Sequence, residues 1–434
     1  MEHQRIQLLE GVFLNVVQTD RFKSNYLCLN FITPLSEQTA SEKSLLINVM
    51  RRGCRKYPEQ TLLCRRLEEL YASEIAYNSY KHGNLHLIGF SADILDNRYA
   101  MDGMDIFSDT VGLLYDTILD PLICDGAFLP SYVESEKKNQ IDQINSLINH
   151  KGRYAQKRCI DQMCKGELAA IDAGGTVENT KRITPARLFE VYEDIIKNAR
   201  VEIFFVGSMP LAEVRDKLLP ITSKLSPRVF CASDIEMAHT AEKVHEVVEH
   251  AQAVQGKLVL GFRTPIRGGS PDSVALRLFN ELFGAAPTSK LFMNVRERLH
   301  LCYMCRSFFN APHGLLFASA GIDNQNYSLA RDEILSQLEA VQKGDFTDEE
   351  LAFAVRSIEN SYRGIYDNPR AVEAWFMTRM LEGNVETPEQ RLLRLKVLTR
   401  DDVIRISNTL SLDTVYFLHG DVQSALAEGE SDDE

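Results

Sequence analysis

Leu27-Cys28-Leu29-Asn30-Phe31-Ile32-Thr33-Pro34-Leu35 is echoed by Leu258-Val259-Leu260-Gly261-Phe262-Arg263-Thr264-Pro265-Ile266, 231 positions further on. At the same offset Gly53 falls on Gly284 and Arg65 on Arg296. Further along, LIGFSADI at Leu87–Ile94 resembles LFASAGID at Leu316–Asp323, with a slip of a residue or two. One short match can arise by chance, but ordered matches across about seventy residues mark a duplicated domain. Two similar halves imply one fold used twice, with a site or cleft between them.

The coarse pattern agrees with a duplication. Val12–Val17 and Tyr26–Thr33 read as strands, rich in branched and aromatic residues. A helix from Thr39 or Ser41 to Met50 stops at Gly53, and a second runs from Pro58 to Tyr71. Ile75–Tyr80 and Asn84–Ala92 read as paired strands. Asp102–Leu119, Pro130–Ile148 and Thr184–Lys197 read as helices, and Val201–Val206 as a buried closing strand. The second half repeats this order, from Val254–Phe262 to a closing VYFLHG at Val415–Gly420 that echoes VEIFFVG at Val201–Gly207. The expected class is α+β: two homologous layered domains, each a mostly antiparallel sheet covered by helices, forming a clam-like half-chamber. Their expected bounds are 1–221 and 245–434, joined by a polar linker over 222–244.

The most chemically suggestive stretch is Gly284–Tyr303, GAAPTSKLFMNVRERLHLCY. A small-residue turn leads into a helical pattern in which Leu291, Phe292, Val295 and Leu299 should face a core. Arg296 lies at the edge of that stripe and Tyr303 follows seven residues later. A forked guanidinium and a phenol on a rigid arm suit gripping a peptide carbonyl or carboxylate. Taken alone, an Arg and a Tyr more commonly form a surface ion pair and a half-buried helix end.

This stretch resembles the second-domain signature of the pitrilysin-type (M16) metallopeptidases: a Gly-rich turn, Ser-x-Leu-Phe, then Arg-Glu-x-x-Gly-Leu-x-Tyr. Ser289, Leu291, Phe292, Arg296, Glu297, Leu301 and Tyr303 match, and His300 stands where the family has Gly. The resemblance implies that Arg296 and Tyr303 bind the substrate backbone. Active members hold zinc with H-x-x-E-H on the first long helix, where helical spacing puts both imidazoles on one face and the Glu activates the metal-bound water. Anchoring on Gly53 puts Ser44-Leu45-Leu46-Ile47-Asn48 in its place, and the third-ligand position aligns with Gln143. Ile47 cannot move a proton, and Ser44, Asn48 and Gln143 are poor zinc ligands. No H-x-x-E-H occurs anywhere in the chain. The resemblance therefore implies a non-catalytic subunit, inactive alone and with no cofactor of its own. It would pair as a heterodimer with a zinc-bearing M16 subunit and bind a peptide or unfolded-protein substrate in a shared cleft.

Composition narrows the alternatives. The 434 residues carry 48 Lys+Arg against 61 Asp+Glu, a net charge of −13. Such a chain is a poor nucleic-acid binder. Part of the excess sits in the terminal EGESDDE over 428–434. No apolar run reaches a membrane span, and the start lacks a signal-peptide pattern. Nine scattered cysteines suggest reduced thiols and a cytoplasmic location. Cys302 and Cys305 form a lone C-x-x-C with no second pair at zinc-site spacing. His245 and His250 are five apart and share no helical face. His82 and His86 fall on one side of a strand, in a solvated or hydrogen-bonded role. Two other readings stay open: a peptide-binding scaffold needing no peptidase partner, and an independent hydrolase using a Cys with a His.

Overall fold

A computed structural model describes residues 1–101, 103–230, 238 and 240–421. The strands of the first half are β1 (His3–Leu9), β2 (Val12–Gln18), β3 (Ser24–Pro34), β4 (Glu74–His82) and β5 (Leu85–Leu95). They are followed by a small ribbon, β6 (Ile123–Cys124) with β7 (Ala127–Phe128), and by β8 (Arg200–Gly207). Six of them form one sheet in the order β1-β2-β8-β3-β5-β4. The second half has β9 (His245–Ala251), β10 (Gly256–Arg263), β11 (Cys302–Asn310), β12 (Leu315–Ile322) and β13 (Ser411–Gly420), in the order β11-β12-β10-β13-β9.

The duplication is visible strand by strand. β2-β8-β3-β5-β4 corresponds to β9-β13-β10-β12-β11, and every pairing keeps its sense. The β2–β8 and β9–β13 pairs are parallel, and the other pairs are antiparallel. The echoed stretches at Leu27 and Leu258 both lie in the strand with neighbours on each side. Leu29 pairs with Phe90 and Leu260 with Ala318. Between β5 and β12 the offset is therefore 228, against 231 between β3 and β10, a slip of three residues where the sequence suggested one or two.

Both central strands are buried along nearly their whole length, which requires cover on both faces. In the first half Leu27, Leu29 and Phe31 join a core with the helices Glu37–Met50, Ile106–Leu119 and Pro185–Asn198. On the other face Asn30 meets Glu373, and His3 stacks on Phe376 at 4.7 Å, both partners belonging to the helix Pro369–Leu381. In the second half the helix Lys151–Met163 plays the same part. Its Ala155, Cys159 and Met163 pack on Val259, Phe317 and Tyr416. Arg263 fixes it further, donating to Asp413 at 2.6 Å, to Glu167 at 2.7 Å and to the Met163 carbonyl.

Each sheet is thus covered by a helix borrowed from the other half of the sequence. This differs from the contiguous bounds 1–221 and 245–434: Ser146–Ala170 packs with the second unit and Tyr366–Thr378 with the first. Within the expected linker, residues 231–237 and 239 lie outside the described ones, and His245–Ala251 just beyond it is an edge strand. The acidic end at 428–434 also lies outside them. Among the described residues, no helix is long and apolar enough to cross a membrane.

Candidate functional site

The stretch Gly284–Tyr303 begins in wide, i→i+5 bonded turns at Glu281–Ala285 and again at Leu291–Arg298. Such turns are rare and cluster at functional sites. Gly284 is required by close approach, because a Cβ there would lie 2.6 Å from Ser307 Oγ and 2.7 Å from its backbone N. Leu291 and Val295 are buried as their spacing predicts. Leu299 is not: it is 37% exposed, and Leu301 is buried instead. The wide turns move the buried position two residues on, from Leu299 to Leu301, and the Leu301 N–H closes onto the Val295 carbonyl.

His300, in place of the family's Gly, has φ +52°, a left-handed conformation that side chains other than Gly adopt at a cost. His300→Gly should raise unfolding free energy by roughly 0.5–1 kcal/mol, the strain relief less the added chain entropy of Gly. A denaturant titration of the two proteins checks this, and a loss of stability would assign the exposed imidazole a contact role.

The structure brings Arg296 and Tyr303 together. The guanidinium carbon sits 4.5 Å from the Phe292 ring centroid and 5.4 Å from that of Tyr303. Such stacking orients the fork while leaving its donors free for a ligand. The carboxylate beside it, Glu297, stands at 3.5 Å in an exposed, weak pair. Tyr303 is 70% exposed. The two line a hollow of about 340 Å³ with Gln255, His300, Cys302 and Asp323. Cys302 is drawn below the ordinary thiol range by a hydrogen bond with Cys305, against burial, and the Arg296 charge adds to this.

Ser44, Ile47 and Asn48 lie on the helix Glu37–Met50. Ile47 is buried in the core, and the other two are half-buried. Gln143 is exposed near the end of the helix Pro130–Ser146. The residue that joins the two helices is Gln140, three positions earlier, whose amide donates to the Ser41 carbonyl, the Gly174 carbonyl and Thr180 Oγ1, each at 3.1 Å. Gly53 has φ +152°, and a Cβ there would meet the Tyr57 carbonyl at 2.4 Å, which explains its place at the helix end. His86 is buried and bonded to Ser79 Oγ at 2.8 Å, and burial pushes it down to about 3, so it is neutral. A larger hollow of about 680 Å³ in the first unit includes Arg65, the counterpart of Arg296. Neighbouring charges there are already matched, Lys56 with Asp116 and Arg66 with Glu69 and Asp109.

A doubled strand order, a stacked Arg–Tyr pair in the second half and a sequence without any H-x-x-E-H define a class: a two-domain homologue of the M16 peptidases. The chain belongs to the M16 peptidase family, and the H-x-x-E-H zinc motif does not occur in its sequence. It is 30% identical over 413 residues to a Bacillus subtilis (strain 168) protein named probable inactive metalloprotease YmfF, covering 94% of this chain and 96% of that one. The family model described as Peptidase M16 inactive domain matches residues 182–358. Among solved structures, a conserved protein from Enterococcus faecalis superposes with a TM-score of 0.89 at 28% identity, over 97% of this chain and 99% of that one. An M16 inactive domain from Pseudomonas fluorescens matches with a TM-score of 0.78 at 16% identity, over 98% and 99%. The periplasmic protease PqqL from Escherichia coli matches with a TM-score of 0.69 at 14% identity, over 95% of this chain and 47% of that one. The last two similarities concern the fold alone.

Proposed function

We propose that this chain is the substrate-binding, regulatory subunit of a heterodimeric M16 zinc peptidase of the cytoplasm. The zinc would be held by the partner, and Arg296 with Tyr303 would grip the backbone of a peptide or unfolded-protein substrate. The observation that carries the reading is a guanidinium close to two rings and lining a hollow, without a tight carboxylate partner among the described residues, in a chain whose helix Glu37–Met50 carries Ser44, Ile47 and Asn48. Structural arginines in this protein look different: Arg263 is buried and bonded to two carboxylates.

The test is co-expression with an H-x-x-E-H protein of similar length from the adjacent reading frame. The expected result is co-purification, with cleavage of a fluorogenic oligopeptide that needs both chains. If this chain purifies alone and adds nothing to the partner's cleavage, the reading fails, and a partner-free scaffold takes its place.

A further inference from the structure

Two histidines remote in sequence meet a carboxylate at one end of the second sheet. The parallel register sets His250 of β9 beside His419 of β13. Their ring centroids are 4.7 Å apart. Asp421, just past β13, places Oδ1 2.9 Å from His250 Nδ1 and 3.0 Å from His419 Nδ1. One donor atom from each of the three lies within 4.8 Å of the other two, the one such triad among the described residues.

The backbone around this triad is held in place. The Asp421 N–H donates to the Ala251 carbonyl at 3.0 Å. Gly420 is clamped on both sides by the Asn324 amide, at 2.6 and 3.1 Å. Strand alternation sends Glu249 and Tyr416 to the other face of the sheet, where they bond to each other at 2.8 Å. Among the described residues, the two imidazoles and Asp421 face one another, with the Phe417 ring edge-on to His419 at 5.9 Å.

We propose that His250, His419 and Asp421 form a binding site for a divalent transition-metal ion, with zinc, nickel or copper(II) as occupants. Two imidazole nitrogens and one carboxylate oxygen suit these ions, whereas magnesium and calcium prefer all-oxygen shells. A tetrahedral ion with bonds of about 2.05 Å sets its ligand atoms roughly 3.3 Å apart. The Nδ1–Oδ1 separations need to open only slightly to reach that spacing. Each imidazole coordinates through Nδ1 with its proton on Nε2, so binding needs a tautomer change and no added charge. The ion ties the edge strand β9 to β13 and to the residue that follows it. The site is separate from the positions Ser44, Ile47, Asn48 and Gln143 and does not depend on the proposed peptidase role.

The test is equilibrium dialysis of the tag-free full chain against Zn²⁺ and Ni²⁺, with melting temperature as a second readout. About one equivalent is expected, with a higher melting temperature when loaded. His250→Ala and His419→Ala should each weaken binding at least tenfold and abolish the thermal shift, and Asp421→Asn should weaken it less, while Cys302→Ser leaves both unchanged. The proposal is overturned by no uptake at roughly 100 µM free ion, a concentration far above the dissociation constant of a working site. Uptake that survives the double histidine variant, uptake lost in Cys302→Ser, or displacement by excess magnesium would overturn it equally.

Discussion

Arg296→Ala, assayed with the zinc-bearing partner present, is expected to lower kcat/KM of the pair by roughly ten- to a hundredfold. A charge-assisted hydrogen bond to a substrate carbonyl is worth about 1.5–3 kcal/mol, and each 1.4 kcal/mol is about tenfold. Tyr303→Phe removes one neutral donor and should cost less, about 0.5–1.5 kcal/mol. Stability should change little. Arg296 lies against Phe292 and Tyr303 on a partly exposed surface, and its ion pair with Glu297 is loose at 3.5 Å. If Arg296 were structural, the pattern would reverse, with a lower melting temperature and unchanged cleavage. Measuring both quantities on both variants separates the two. Unchanged cleavage in both would mean that the Arg–Tyr pair is retained fold and no longer grips substrate.

How much of this was legible in the sequence differs by element. The central strands were, because burial on both faces makes them near-continuous apolar runs, and a run repeated in order survives a duplication. The Arg–Tyr pair was legible through its motif, but its local geometry was not. Helical spacing of 3.6 put Leu299 in the core, whereas i→i+5 turns put Leu301 there. The edge strand β9, HEVVEHA, carries no clear strand pattern. An edge strand with Glu246 and Glu249 on opposite faces and Val248 exposed lacks a clean alternation and resembles a linker. The helix Lys151–Met163 escaped for a related reason: it shows one narrow apolar stripe, Ala155-Cys159-Met163, amid lysines, arginines and an aspartate. Its partner surface, Val259, Phe317 and Tyr416, lies roughly one hundred to two hundred and sixty residues downstream, and no local rule reaches that far. The pairing of His250 with His419 was hidden in the same way, since it exists only through the register of two strands distant in sequence.

The borrowed helix on the first sheet carries the second large expected effect. Glu373→Gln should stabilise the protein at about pH 8 by an amount on the order of 3 kcal/mol, and hardly at all near pH 4.5. Glu373 is buried against β3, where its carboxyl accepts one long hydrogen bond, 3.3 Å, from Asn30 Nδ2. Burial pushes its pKa up to about 7 from an ordinary 4.5, and the Asn30 bond offsets only part of this. Tyr26, Cys28 and Tyr80 resist ionising mainly because they are buried, and the Glu373 charge adds to this. The sign follows from proton counting. Below 4.5 the group is protonated whether the chain is folded or unfolded, so it costs no ionisation energy. Between 4.5 and about 7 the unfolded chain releases the proton and the folded chain keeps it, so stability falls as pH rises. Above 7 the penalty is complete and constant, about 2.5 pKa units at 1.36 kcal/mol each. Glutamine keeps an acceptor for Asn30 and removes the ionisation. Urea titrations of both proteins at several values across that window should therefore show a smaller fall in stability between pH 5 and 7 for the variant. Parallel curves for the two proteins, or a variant less stable at pH 8, would mean that the carboxylate is solvated or paired in solution and that its burial on β3 carries no charge penalty.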